Sequence, residues 1–252
     1  MITVKNLTKT FKHKNGLFVA VDDVSFSVAQ GESVALIGPN GAGKSTTIKM
    51  LTGILYPTSG EVSILGLSPQ KNRKEVVNQI GVVFGQRSSL LPNLPLCDTM
   101  NLFGVMYGIE KKKIQERIKY LEELLDMKTF RDQPIRTLSL GQRMRVEIAC
   151  ALIHEPKILF LDEPTIGLDI VAKQTLRETL LQLRNEHNVT IFLTSHDVGD
   201  IEAICDRTII VNHGKIVVDE PTSELYKLID KEKHTIVRGP SLEDVLVKIY
   251  KQ

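Results

Sequence analysis

The chain has 252 residues, 42% of them apolar, which is enough to bury the core of one large α/β domain or of two small lobes. Its 32 basic and 30 acidic residues leave a net charge of +2, so the composition gives no reason to expect a nucleic-acid-binding surface. The three cysteines are widely spaced and form no Cys-x-x-Cys pair, and we expect free thiols in a reducing compartment. The N-terminus has no signal-like segment and no apolar run approaches the ~18 residues that span a bilayer, so we expect a soluble, cytoplasmic chain. At a membrane, another polypeptide would have to supply the span.

The N-terminal part of the chain is predicted to be rich in strands. Residues 24–28 alternate apolar and polar side chains with strict period two, which is typical of a half-exposed antiparallel strand. Residues 61–65 predict a further strand in this part of the chain. Residues 34–37 are a continuous apolar run that we expect to form a buried strand, and helical character begins at residue 46.

A glycine-rich segment, GPNGAGKST, joins that buried strand to that helix at residues 38–46. Its glycines can adopt backbone angles that a side chain would forbid, so that successive N–H groups and the positive end of the helix point at phosphate oxygens. Lys44 can reach the β- and γ-phosphates, and Ser45 can place its hydroxyl on Mg²⁺. The competing interpretation is a glycine-rich turn with an incidental lysine. The predicted phosphate-binding residues are Gly38, Pro39, Asn40, Gly41, Ala42, Gly43, Lys44, Ser45 and Thr46.

The middle of the chain is predicted to be helical. Residues 80–84 indicate a buried strand, after which the pattern changes. Helices are expected near residues 98–108 and 113–125, and in the second of these apolar side chains recur at three- and four-residue spacing. A long helix is expected to begin at Ser139 and to end before Pro156. Together these helices predict a lobe inserted between two strands.

Strands and helices alternate in the second half of the chain. The expected strands are residues 157–161, 189–193 and 208–211, and the expected helices lie near residues 170–185 and 198–204. This βα alternation is typical of a parallel sheet covered on both faces, and residues 215–218 should extend it. The chain is expected to finish with a short helix near 222–229, a charged link at 230–233, and a terminal helix capped by Ser241 with Asp244 three residues on.

Two carboxylates follow directly on the apolar strand at residues 158–161. The carboxyl end of that strand is expected beside the glycine-rich loop, where Asp162 would hold Mg²⁺ directly or through water. Glu163 points the other way by strand alternation, and is the candidate to accept a proton from an attacking water or to orient it. In isolation, an acidic turn after a buried strand would be the preferred interpretation.

A second helix N-terminus carries a possible anion site. Ser139 followed by Gln142 predicts a capping box, and Gly141 allows a phosphate to approach the start of the helix. A capping box alone is usually structural. Its position about twenty residues before Asp162 favours a functional role.

The order of these motifs resembles that of the nucleotide-binding subunits of ABC transporters. The corresponding motifs are Walker A at residues 38–45, the Q-loop at Gln86, the signature at 138–142, Walker B at 158–163, the D-loop at 167–169 and the switch histidine, His196. They span nearly the whole chain in the family's order. One departure is Leu140, where the family usually has a second glycine, and this puts a close backbone approach at that position in doubt.

The resemblance implies an α/β fold: a P-loop NTPase (RecA-like) core with a mainly parallel sheet, an N-terminal antiparallel β subdomain and an inserted α-helical subdomain. We therefore expect a single domain over residues 1–252. Its RecA-like and β lobe would comprise 1–86 and 157–220, its helical subdomain about 87–156, and its C-terminal extension about 221–252. The implied activity is ATP hydrolysis, with ATP and Mg²⁺ as the ligands.

The resemblance also implies roles for individual residues. The phosphates are held by Lys44 and the loop amides. Mg²⁺ and water are organised by Ser45, Gln86 and Asp162. Glu163 acts on the water, and His196 contacts the γ-phosphate. A partner subunit supplies Ser139, Gly141 and Gln142, and Asp169 lies at the subunit interface while also capping the next helix. The adenine-stacking aromatic corresponds best to Phe11, with Phe18 as a competitor, and simple packing of Phe11 into the β lobe is equally open.

In ABC proteins the loop and the signature of one chain belong to different composite sites, so the resemblance implies a homodimer or heterodimer closed head to tail around two ATP molecules. The expected partner is an integral membrane permease, with the chain peripheral on the inner face of the cell membrane and docked through residues near 86–96. The alternative for these residues is that they pack within the helical lobe itself. The Gly85-Gln86 pair, the signature form and residues 241–245 resemble ABC-2-type exporters. The alternative is a soluble stand-alone ABC ATPase, such as that of iron–sulfur cluster assembly.

Overall fold

The computed structural model describes residues 1–13, 16–85, 88–228 and 242–250. Its strands are β1 (Ile2–His13), β2 (Gly16–Val28), β3 (Ser33–Ile37), β4 (Ser59–Ile64), β5 (Ile80–Phe84), β6 (Ile158–Asp162), β7 (Thr190–Thr194), β8 (Arg207–Asn212) and β9 (Lys215–Pro221). Its α-helices are α1 (Lys44–Leu51), α2 (Arg73–Val77), α3 (Leu96–Met106), α4 (Lys111–Leu124), α5 (Leu140–Leu152), α6 (Ile170–His187), α7 (Val198–Ile204) and α8 (Leu242–Tyr250).

The larger sheet has the strand order β5-β6-β7-β3-β8-β9 and is parallel except at its last strand. Every residue of β3 and of β7 is buried, as expected for apolar strands at the centre of a sheet that is covered on both faces. The predicted α/β fold with a mainly parallel sheet is confirmed.

Strand β9 extends this sheet, as predicted, but it runs antiparallel to β8. Only His213 and Gly214 separate the two strands, and both have positive φ values, 47° and 79°. Such a two-residue turn joins strands only as a hairpin, since a parallel connection needs a crossover of a dozen residues or more.

The smaller sheet is antiparallel, with the order β2-β1-β4. Along residues 24–28 of β2 the side chains alternate strictly between buried and exposed, which confirms the period-two prediction. The strand predicted at 61–65 is β4, and it pairs with β1. This sheet packs with α1 on one face of the larger sheet through a cluster that includes Phe26 and Phe192, whose rings stack at 5.8 Å.

The helices between β5 and β6 cover the other face of the larger sheet in a second apolar cluster. Helices α3 and α4 lie within two residues of the predicted stretches, and α5 begins directly after Ser139. The short helix α2 and the 3₁₀ turns at Lys128–Phe130 and Ile135–Thr137 were not predicted.

At the C-terminal end, the predicted short helix is a 3₁₀ helix, Thr222–Leu228. The charged link at 230–233 and the cap at Ser241 lie outside the described residues, and α8 follows them. All three cysteines are described, and no disulfide joins them. Within the described ranges, no helix has both the length and the apolar character that crossing a membrane requires.

Candidate functional site

The loop between β3 and α1 folds around the ammonium group of Lys44. Lys44 Nζ donates hydrogen bonds to Gly38 O at 2.7 Å and Pro39 O at 3.2 Å, and it lies 3.4 Å from His196 Nε2. The residue is only 7% exposed. Burial lowers the pKa of Lys44, while the nearby carboxylates of Glu163 and Asp162 oppose that shift. The loop therefore holds a buried cation at its centre.

The three loop glycines are required for two different reasons. Gly41 and Gly43 have φ values of 84° and 103°, in the left-handed region that side chains disfavour. The prediction that special backbone angles explain all three glycines is wrong for Gly38, whose φ lies outside that region. A Cβ at Gly38 would lie 2.2 Å from Val211 O, so a glycine there lets the loop pack directly on β8.

A hydroxyl and a carboxylate meet where α1 begins and β6 ends. Ser45 Oγ donates to Asp162 Oδ1 at 3.1 Å, and Thr194 Oγ1 donates to the same oxygen at 2.7 Å. Among the described residues there is no cluster of three or more His, Cys, Asp or Glu side chains that could enclose a metal ion. Mg²⁺ is usually bound through one or two carboxylates plus substrate phosphates, so this pair of oxygen ligands fits it.

Glu163 is held in a strained backbone conformation directly after β6. Its φ is 56°, and its N–H donates to both the carbonyl and the hydroxyl of Thr194, at 3.1 Å and 3.0 Å. A Cβ at Gly85 would lie 2.2 Å from Glu163 O, so the end of β5 also packs closely on this residue. The strain is thus maintained by both neighbouring strands.

The side chains of Glu163 and His196 face each other. Glu163 Oε1 is 3.1 Å from His196 Nε2, yet it is buried and has no hydrogen-bond partner in the described part of the chain. Burial raises the pKa of Glu163, although the Lys44 ammonium acts against the shift. Burial, and then the same ammonium, lower the pKa of His196, so the imidazole is neutral near pH 7. The carboxylate also accepts a backbone hydrogen bond from His196, which opposes the rise in its pKa. A carboxylate with a raised pKa and one oxygen without a hydrogen-bond partner is suited to accept a proton.

Lys44, Ser45, Glu163 and His196 line an open cleft of about 440 Å³, whereas Asp162 is not among its lining residues. Its lining residues are Phe18, Ala20, Asn40, Gly41, Ala42, Gly43, Lys44, Ser45, Thr46, Glu163, Ile166 and His196. Phe11 and Phe18 are direct partners across β1 and β2, and Phe18, rather than Phe11, lines the cleft. Gln86 lies outside the described residues.

The signature residues lie at the start of α5, outside this cleft. The capping box is present: Gln142 N–H donates to Ser139 Oγ at 3.2 Å, and Ser139 N–H donates to Gln142 Oε1 at 2.9 Å. A Cβ at Gly141 would lie 2.9 Å from Ala172 Cβ, so this glycine lets α5 approach α6. Asp169 caps α6, as predicted, through its Oδ1 and the N–H of Ala172 at 2.8 Å.

Leu140, the departure from the family pattern, packs on the loop that precedes α6. A Cβ at Gly167 would lie 2.9 Å from Leu140 Cδ2, and Leu140 is still 45% exposed. Sequence reasoning missed Thr194 as a partner of both Asp162 and Glu163. Its position at the carboxyl end of the strand adjacent to β6 was the available signal.

Comparison with known proteins gives the family. The sequence profile of the ABC transporter family matches residues 21–166, more than half of the chain. The chain belongs to the ABC transporter family. It is 35% identical over 227 residues to the ABC transporter ATP-binding protein NatA of Bacillus subtilis, covering 90% of this chain and 92% of that one. It is also 35% identical over 217 residues to the linearmycin resistance ATP-binding protein LnrL of Bacillus subtilis, covering 86% and 68%.

The structural comparison agrees. The chain is similar, with a TM-score of 0.81 and 28% identity, to the dimeric post-hydrolysis structure of the ATP-binding cassette MJ0796 bound to ADP and Pi. That similarity covers 88% of this chain and 99% of the other. The family prediction is confirmed, and as an ABC ATPase the chain binds and hydrolyses ATP.

Proposed function

We propose that this chain is the ATP-hydrolysing subunit of an ABC exporter, and that two cassettes close head to tail around two ATP molecules. The observation that carries the proposal is the separation of the two phosphate-binding elements. Lys44, Glu163 and His196 converge on the cleft, whereas the capped start of α5, with Ser139 and Gln142, lies outside it. A second cassette can supply the missing helix N-terminus, and MJ0796 is described as a dimer bound to ADP and Pi.

In the proposed reaction, Lys44 and the amides of residues 38–46 bind the phosphates, and Glu163 takes a proton from the attacking water or orients it. The neutral imidazole of His196 is placed to contact the γ-phosphate. Ser45 and Asp162 would hold Mg²⁺, which when bound neutralises phosphate charge, and Gln86 is assigned to the same group by the family pattern. The partner's signature serine and glycine, and Asp169 at the interface, complete the site.

Adenine is proposed to stack on an aromatic residue of the antiparallel sheet. Phe18 is the better candidate on position, because it lines the cleft and is 53% exposed. Phe11, the residue preferred on sequence, is 38% exposed and lies beside Lys9, whose Nζ is 5.2 Å from the ring centroid. Replacing each by alanine and comparing the affinity for ATP decides between them.

The permease is proposed to dock on the groove between the larger sheet and the helices α3 and α5. This groove encloses about 170 Å³, and its lining includes Ser89, Phe103 and Tyr107. Two exposed apolar residues are close in sequence to this lining: Leu91, 41% exposed, follows Ser89 by two residues, and Met106, 71% exposed, directly precedes Tyr107. Exposed apolar surface of this kind suits an amphipathic helix of a membrane partner.

The test is co-purification of the tagged chain from membranes of its native cell in mild detergent. We expect a polytopic membrane protein in stoichiometric amount, which would show that the chain associates with a membrane partner. Leu91→Asp should reduce its recovery while leaving ATP hydrolysis by the isolated chain unchanged. Leu17→Asp, at a 70% exposed leucine on β2, is the matched control, and the membrane protein should be recovered with it in the wild-type amount. Recovery of only soluble partners would support a stand-alone ABC ATPase instead.

Export, rather than import, is proposed on the names of the resistance relatives alone, since the Fe(3+) ions import ATP-binding protein FbpC 1 of Haemophilus influenzae is also 33% identical to the chain over 225 residues. LnrL is named for resistance to linearmycin, which is consistent with outward transport by that protein. Accumulation of a labelled substrate in vesicles containing the permease would decide the direction.

A further inference from the structure

Asp200, on α7, is a buried carboxylate that the proposed reaction does not use. It is 1% exposed, and four donor contacts from three different segments reach it. Its Oδ2 accepts hydrogen bonds from Thr165 Oγ1 at 2.5 Å and from Ser195 Oγ at 3.0 Å. Its Oδ1 accepts from Arg177 Nε at 2.7 Å and lies 2.6 Å from Arg177 Nη2.

Two of the three segments carry groups that act in the proposed reaction, and the third is the helix after the D-loop. Thr165 follows the strained Glu163 by two residues, Ser195 directly precedes His196, and Arg177 lies on α6, which begins after Asp169. The two hydroxyls each have a single proton to donate, and both donate it to the same oxygen. One carboxylate therefore joins the loops after β6 and β7 to the helix that follows the D-loop.

The network around Asp200 is balanced in charge and continues into the loop of His196. Asp197 accepts from Lys173 Nζ at 2.5 Å and from Arg177 Nη2 at 3.1 Å, so two cations face two carboxylates. Asp197 N–H donates to Ser195 Oγ at 3.0 Å, which fixes the backbone on either side of His196. A buried carboxylate with these partners is compensated, whereas loss of its charge would leave Asp197 as the remaining carboxylate partner of Arg177.

We propose that Asp200 is a positioning residue for ATP hydrolysis: it holds the Glu163 and His196 loops in the register that puts their side chains 3.1 Å apart. The proposal rests on the proposed roles of Glu163 and His196. The strained φ of Glu163 persists only where its surroundings fix it, and the Thr165 contact is the tie that immediately follows it. Among the described residues, no hydrogen bond or ion pair joins Asp200 to the loop of residues 38–46, and Asp200 does not itself line the cleft. Its contacts reach the site through the two loops, and its charge also raises the pKa of Glu163.

The test uses Asp200→Asn in the chain of residues 1–252. Asparagine has nearly the same shape, but one oxygen becomes a donor, so either the two hydroxyls or Arg177 lose their acceptor. We expect kcat to fall about 10- to 100-fold, the effect of misplacing a reacting group by about 1 Å. The Kd for ATP should change less than about threefold, since the phosphate-binding loop is not tied to this carboxylate.

Asp206→Asn is the matched control. Asp206 also accepts from a serine and an arginine, Ser33 Oγ and Arg184 Nη1, each at 2.9 Å, but it lies at the opposite end of the strands. The Asp206→Asn variant should therefore have the wild-type kcat. Thr165→Val removes one hydroxyl without changing shape and should also lower kcat, which keeps the proposal testable if Asp200→Asn does not fold.

A double-variant cycle separates positioning from general damage. When His196 is already alanine, Asp200→Asn should have little further effect on kcat, because either change alone disrupts the pairing of the Glu163 and His196 side chains. The proposal is overturned if folded Asp200→Asn or Thr165→Val keeps the wild-type kcat. It is also overturned if Asp200→Asn loses kcat and ATP affinity by the same factor. Glu163→Gln is measured in parallel. Wild-type activity in Glu163→Gln would refute the proposed role of Glu163. If Glu163→Gln is inactive and Asp200→Asn is active, only the role of Asp200 is refuted.

Discussion

The protonation of His154 should couple the stability of the fold to pH. His154 stacks on Tyr107 of the helical insertion, with ring centroids 3.8 Å apart and planes within 9°. Its Nε2 lies 3.0 Å from the carbonyl oxygen of Ile80, to which the neutral ring donates, and its Nδ1 is buried with no partner among the described residues. A second proton would therefore sit on a nitrogen that has no acceptor. Burial lowers the pKa of His154 from 6.5 to about 4.

The sign and size of the effect follow from that shift. Between pH 6.5 and about 4 the unfolded chain binds a proton that the folded chain excludes, so the stability contributed by neutral His154 is complete above pH 6.5 and is lost as the pH falls. The full shift corresponds to about 3 kcal/mol, and about 2 kcal/mol of it is lost by pH 5. His154→Gln can keep a donor towards Ile80 but cannot titrate.

The assay is urea unfolding at pH 7.5 and pH 5, followed by circular dichroism. The free energy of unfolding of the wild-type chain should fall between the two pH values by about 2 kcal/mol more than that of His154→Gln. His213→Gln, at the exposed turn between β8 and β9, is the control and should retain the wild-type pH dependence. Equal pH dependence in the wild type and His154→Gln would refute the reasoning.

Two further predictions concern the loop and the signature. Gly38→Ala should abolish ATP binding or folding, because the added Cβ would lie 2.2 Å from Val211 O. The Cβ of Gly41→Ala would meet no atom within 4 Å, so this change should lower the free energy of unfolding by only about 1 kcal/mol, through backbone strain. Thermal unfolding and ATP titration compare the two, and equal effects would contradict this account of the glycines. Ser139→Ala removes the cap on Gln142 N–H and should lower stability by about 1 kcal/mol. It should also reduce hydrolysis while leaving ATP binding by the monomer unchanged; a loss of ATP binding by the monomer would contradict the assignment of Ser139 to the partner's site.

Local sequence patterns were sufficient for most of the fold. The strand at residues 80–84 occurs as predicted because its apolar run is bounded by turn residues, and the alternation at 24–28 directly reports which side chains are buried. The direction of β9 was missed because it depends on a two-residue turn rather than on strand composition. The short helix α2 has too few residues for a recognisable period.

The candidate site could be assembled from sequence because its parts follow neighbouring parallel strands. The loop follows β3, Asp162 is the last residue of β6, and His196 lies two residues after β7; these strands are adjacent in the order β6-β7-β3. Contacts that do not follow from the order of the strands could not be predicted. The packing of Gly38 on Val211 and the tie from Thr165 to Asp200 depend on how elements pack, as does the choice between Phe11 and Phe18.

The most direct test of the proposed mechanism is the oligomeric state of Glu163→Gln in the presence and absence of ATP and Mg²⁺, measured by size-exclusion chromatography with light scattering. A cassette that binds ATP but cannot activate water should accumulate as a dimer with ATP and revert to a monomer without it. Glu163→Gln combined with Lys44→Ala should remain a monomer in both conditions, because the buried ammonium that binds the phosphates is lost. A Glu163→Gln chain that stays monomeric in saturating ATP, or that hydrolyses ATP at the wild-type rate, would contradict the proposal.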